Sequence, residues 1–162
     1  MEPNEALGVA AQVAVALAGF AGVVVVFRSG SLHEWSKADK FRLRLLLSNS
    51  LTPLGLCLVG VLLLSAKISP DTIWRWCSGV AAAVLFRMAV VYVRDFRGVP
   101  RVELQTAGAS APLFYVGGMI GTLVTLLQLY NTVLLNAFWP FFLAIVTLIL
   151  AAMVQFVRLV IH

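Results

Sequence analysis

The chain has 162 residues, 61% of them hydrophobic and only 12% charged, with a mean hydropathy of +0.97. A soluble domain is typically about half apolar and about one quarter charged, so this composition excludes a water-soluble fold and points to a membrane. The net charge of +5 would suit nucleic acid only on a solvated face; here the basic residues cap apolar runs, and no nucleic-acid partner is expected.

The N-terminus, "MEPNEALG", is acidic where a secretory signal is basic, and no small-residue cleavage site ends the first apolar run. The first span, Ala6–Phe27, is therefore expected to be retained. It carries Ala14, Ala18 and Gly22 on one stripe, the small-residue spacing that lets membrane helices pack closely.

The next segment, "EWSKADKFRLRLL", reads as a helix start, with Ser36 as N-cap and Asp39 reaching back in a variant capping box. Lys37, Lys40, Arg42 and Arg44 form a basic collar there, and Arg94 and Arg97 add to it from the third span. Such a collar attracts anionic lipid headgroups, at about 1 kcal/mol per basic residue; it also fixes topology without any ligand. "HEWSK" lacks the second histidine of a zinc site, so no metal is expected.

The second span, Arg44–Ala66, contains "SNSLTP". Pro53 cannot donate to the carbonyl four residues back, so it marks a helix break that leaves the carbonyl of Asn49 needing a partner. The third span, Ile73–Val93, holds Arg87, about 9 Å inside its basic end at 1.5 Å per residue. Cys57 and Cys77 fall in these two spans and read as small packing residues, not as a disulfide.

The fourth span, Ala111–Leu134, offers Gly117, Gly118 and Gly121 as a second seam. The fifth, Ala137–Val157, follows through "YNTVLLNAFWP", where Asn136 can cap a helix that has Pro140 in its first turn. A reading with four spans fuses or half-inserts one of these last two. The predicted fold is an all-α polytopic transmembrane helix bundle of five spans, forming a single domain over residues 1–162.

Loop charges orient it. Arg28, Lys37, Lys40, Arg42, Arg44, Arg94, Arg97, Arg101 and Arg158 fall on one side, against Lys67 and Arg75 on the other. The positive-inside rule then predicts the N-terminus outside and the C-terminus cytoplasmic. Trp74, Trp76, Tyr130 and Trp139 are expected at the outer interface, with Trp35, Tyr92 and Tyr115 at the inner one.

The pattern resembles a group of small multi-pass bacterial inner-membrane proteins with no assigned activity. The resemblance rests on "GFAGVVVVF", "EWSKADKFRLRLLLSNS", "WRWCS" and "VQFVRL". It implies a bacterial cytoplasmic membrane and nothing about chemistry.

Depth brings Arg87, Asn49 and Gln155 of the fifth span to one level, a predicted intramembrane polar cluster. Arginine supplies donors only, while amide and carbonyl oxygens accept. With every Asp and Glu outside the apolar cores, Arg87 is either a structural staple to the second helix or an anion site; a cation pathway would normally use a carboxylate.

No serine–histidine pair, paired carboxylates or glycine-rich phosphate loop stands in the spans, so neither enzyme activity nor a cofactor is expected. Two classes remain. One is a non-enzymatic, self-associating bundle acting as an accessory, scaffold or lipid-binding component, with anionic lipids, further copies of itself or another membrane protein as partners. The other is a homo-oligomeric, anion-selective channel or transport protein. The first is preferred, because five short helices are little material for an aqueous pathway within one subunit. Topology is directly testable. In a background lacking Cys57 and Cys77, an impermeant maleimide on intact cells should label cysteine at Ser69 and not at Ser110; the reverse pattern inverts the orientation.

Overall fold

The structure, a computed structural model, describes residues 2–27, 37–66, 69–98 and 111–161. These form α1 (Pro3–Phe27), α2 (Lys37–Ser65), α3 (Pro70–Arg97), α4 (Ala111–Tyr130) and α5 (Phe138–Ile161). A π-helical turn, Asn131–Leu135, extends α4 toward α5. All five helices are long and apolar enough to cross a membrane, and no strand occurs among the described residues. The fold is a helical bundle with five candidate spans, and the four-span reading falls away because the last two runs are separate long helices. The expected cap at Ser36 lies outside the described residues, as do Trp35, Arg28, Lys67 and Arg101.

Local chemistry sets several helix ends. α1 and α3 each begin at a proline, whose missing N–H is no loss in a first turn, and each carries an acidic residue there, Glu5 or Asp71, near the positive end of the helix dipole. Arg94 and Arg97 in the last turn of α3 complement its negative end. Gly98 closes that helix by donating its N–H to the Asp95 carbonyl at 3.0 Å.

α5 is the centre of the bundle and packs against all four other helices. Its buried residues, Phe141, Ala144, Ile145, Leu148, Ile149 and Ala152, recur at helical spacing, while Leu143, Leu150, Met153 and Val154 face outward. α1 and α2 form the most extensive pair. α1 turns Leu7, Ala10, Ala14, Leu17 and Ala21 inward. The tightest approach is at Gly60 of α2, where an added Cβ would lie 2.8 Å from Leu7 Cδ1 and 3.4 Å from Phe141 Cε1. Glycine is needed here for closeness, not for a special backbone angle.

The predicted seams divide. Ala14 is fully buried and Ala18 half-buried, but Gly22 is exposed. Gly117, Gly118 and Gly121 likewise have nothing within 4 Å of an added Cβ. The expectation that these glycines form seams is thus corrected within the chain: the α1 seam is built from alanines, and the α4 glycines point out of the bundle. Trp74 is a second correction. Instead of standing in an interfacial belt it is buried against Phe138 and Phe141, at ring-centroid distances of 4.8 and 6.2 Å.

Gly60→Val should lower thermal stability in mild detergent by about 1–3 kcal/mol through overpacking. Gly55→Val, on the open face of the same helix, should leave the melting temperature nearly unchanged.

Candidate functional site: two polar clusters and a basic groove

Three helices meet around Asn49, which is 5% exposed. Its Nδ2 donates to Gln155 Oε1 at 3.2 Å, joining α2 to α5, and its Oδ1 accepts from the Tyr92 hydroxyl at 3.4 Å, joining α2 to α3. Ser48 lies beside the same hydroxyl. At the basic end, Arg44 Nη1 pairs with Asp95 Oδ2 at 2.7 Å. Both side chains reach solvent, so the pair contributes little to stability, ~0–1 kcal/mol.

The structure brings Asn49 and Gln155 together but leaves Arg87 out. Arg87 is exposed and makes no hydrogen bond or ion pair with the described residues. Both its level and its face differ from the expectation: Asn49 meets Tyr92, whereas Arg87 lies deeper, near the level of Thr52. Thr52 Oγ1 donates to Met88 Sδ at 3.4 Å, so Met88 faces α2. The side chain one residue earlier is turned about 100° round the helix. Tyr92, one turn beyond Met88, takes the place expected for Arg87. Pro53 is buried in α2, but the expected helix break does not occur: α2 runs through it without interruption from Lys37 to Ser65, and Ser50 Oγ donates to the Leu46 carbonyl at 2.9 Å just before it.

A second cluster, at the opposite end, was missed. Asn131 and Gln128 are fully buried between α4 and α5. Asn131 Nδ2 donates to Ser78 Oγ at 2.6 Å and to the Ala137 carbonyl at 2.9 Å, while Oδ1 accepts from the Ala137 N–H at 3.0 Å. One side chain thus holds both backbone groups of a residue at the turn and ties the hairpin to α3. Gln128 Nε2 donates to the Pro140 carbonyl at 2.7 Å. Asn136 does not act as the expected side-chain cap of α5. It sits at φ 48°, a left-handed conformation that asparagine tolerates, and its N–H closes the π turn on the Asn131 carbonyl at 2.9 Å. The available signal was polar residues recurring at helical spacing, Gln128, Asn131 and Thr132, within an apolar run.

The basic collar flanks a shallow groove of about 410 Å³ on α2, lined by Lys40, Leu43, Arg44, Leu47, Ser48, Leu51 and Thr52. Lys37, Arg94 and Arg97 are exposed near that end, and Arg42 is half-buried. Neither cluster contains a nucleophile–base pair; amides and hydroxyls bond to one another and to backbone, which attaches helices to each other.

Comparison with protein-family models, with curated proteins and with solved structures finds no match. The helices and their apolar surfaces define the class alone: a multi-pass membrane protein.

The two clusters should differ in weight. Asn131→Ala strands the polar groups of Ala137 and Ser78, at a cost on the order of 1–3 kcal/mol. Asn49→Ala removes side-chain bonds of the kind worth about 0.6 kcal/mol on average in membrane proteins. Thermal unfolding in one detergent should rank Asn131→Ala well below Asn49→Ala.

Proposed function

We propose that this protein is a non-enzymatic, self-associating membrane bundle that serves as an accessory, scaffold or lipid-binding component. Its setting on this reading is the bacterial cytoplasmic membrane, with the N-terminus outside and the basic end cytoplasmic. The observation that carries the reading is the uncovered face of α4. Only 17% of its span is buried within the chain, against 28–39% for the other four. Tyr115 through Ile120 are all exposed, and Gly117 and Gly121 form a small-xxx-small pair with open space over both.

Lipid gives helices no hydrophobic reason to associate, so contact depends on how closely backbones approach. The bundle already uses that device internally at Gly60, where it is filled by Leu7 and Phe141. On α4 the same device is vacant. The hydroxyls beside it make no demand on a partner, because Thr122 donates to the Gly118 carbonyl at 2.8 Å and Thr125 to the Gly121 carbonyl at 2.7 Å. A second copy of the chain fits such a dry, small-residue face.

The alternative, a homo-oligomeric anion-selective channel, is favoured by Arg87, an exposed cation within a span. It requires the same self-association and adds an ion path between subunits.

Native mass spectrometry in mild detergent tests the shared requirement. An oligomer is expected, and Gly118→Leu should dissociate it while leaving the thermal unfolding of the monomer unchanged, since no described residue lies within 4 Å of an added Cβ at Gly118. A monomer at every concentration overturns the proposal. Chloride flux in liposomes that is lost in Arg87→Gln would favour the channel.

A further inference from the structure

The α2 groove and Arg87 of α3 belong to one surface. Lys40, Arg44, Ser48 and Thr52 recur every four residues and form a single stripe along α2, with Leu43, Leu47 and Leu51 beside it. Contacts between the helices set the levels: Arg44 meets Asp95, Asn49 meets Tyr92 and Thr52 meets Met88. Arg87 therefore lies at the level of Thr52, the deep end of the groove.

Its direction follows from the same helix. Ser78 is turned about 80° from Met88, toward the end of α4, and Arg87 about 100° the other way. With α2 and α3 antiparallel and both right-handed, that places Arg87 on the side of the pair where the groove opens.

Among the described residues, no group neutralises it. The carboxylates whose side chains are described are Glu2, Glu5 and Asp71, all at the opposite end, and Asp95, two turns away and bonded to Arg44. An arginine facing lipid within a span costs at least ~2.5 kcal/mol near the centre. Its side chain also starts out leaning toward the N-terminus of α3, away from the basic end. A long chain folding back toward that end reaches the level of Ser48.

The surface is graded along the bilayer normal. Cations stand at the headgroup level, hydroxyls and a deep arginine follow, and the apolar open face of Leu51, Gly55, Leu58 and Leu62 continues inward. A diacyl lipid has the same order: phosphate, ester carbonyls, acyl chains. We propose that this groove binds one molecule of an anionic phospholipid from the leaflet at the basic end. Lys40 and the guanidinium donors that Arg44 does not spend on Asp95 hold the phosphate. Arg87 and Ser48 donate to the ester carbonyls and the lower phosphate oxygens, and an acyl chain lies on the leucine face. Arg87 thus gains acceptors without any carboxylate in the bundle. The inference deepens the lipid-binding part of the proposed function and does not depend on self-association.

The test uses the full chain in mild detergent with added phosphatidylglycerol or phosphatidylcholine, read by native mass spectrometry and thermal unfolding. One phosphatidylglycerol should be retained per chain in preference to phosphatidylcholine, with a matching rise in melting temperature. At about 1 kcal/mol per basic contact, Arg87→Gln and Arg44→Gln should each weaken retention roughly fivefold. Arg75→Gln, at the opposite end, should not change it. Because Arg87 makes no hydrogen bond or ion pair with the described residues, the lipid-free stability of Arg87→Gln should match that of the parent protein. Equal retention of the two lipids overturns the proposal. So does equal stabilisation by inorganic phosphate, which would mean a site for a free anion. Subunit number is read in the same spectra: if Arg87→Gln alters it and leaves lipid retention intact, Arg87 faces a second copy and the proposal fails.

Discussion

The structure is governed by the loss of water as a competitor. In a bilayer, apolar surface is satisfied against lipid as well as against protein, so burial alone does not draw helices together. What remains is close packing and the pairing of polar groups that lipid cannot solvate. Leu7 and Phe141 closing on Gly60 supply the first. The amide of Asn131, gripping both backbone groups of Ala137, supplies the second. Remove either and the helices stay helical but lose a reason to stay adjacent.

The two polar clusters divide the work by position. Asn49, Gln155 and Tyr92 tie three helices side by side near the basic end. Asn131, Gln128 and Ser78 instead fix the path of the chain where it reverses between α4 and α5. The π turn there adds a residue to the helical register and aims Asn131 inward. α3 and α5 are thus tied by polar contacts at both ends, with Ala81, Leu85, Ile145 and Leu148 among the buried apolar residues between.

Much of this was legible in the residues, because hydropathy and length constrain a membrane helix strongly. Five spans, the hairpin near Pro140 and the level of Asn49 with Gln155 follow from counting at a known rise per residue. The helical face is harder. Depth depends on axial position, which sequence fixes, whereas rotation depends on which neighbour wins the contact. Arg87 was assigned to the interior on depth and displaced by Met88 and Tyr92, whose thioether and phenol suit a dry interface better than an uncompensated cation. The small-residue stripes misled for the same reason: Ala14 and Gly118 both satisfy the spacing, and only the arrangement of the other helices puts one inside and the other out. Asn131 escaped notice because its role needs a turn whose shape no single residue announces.

The central position of α5 has a consequence for how the protein is made. It follows the other four described helices in chain order, yet it is the one that touches all of them. While translation proceeds, α1 and α2 can settle on each other, but the slot that Phe141, Ala144, Ile145 and Ile149 will occupy stays filled by lipid. The bundle therefore closes only once α5 has joined the earlier helices. A ribosome that stalls before Phe138 leaves a set of inserted helices with their inner faces exposed in the membrane, a state that quality-control proteases can distinguish from the finished bundle.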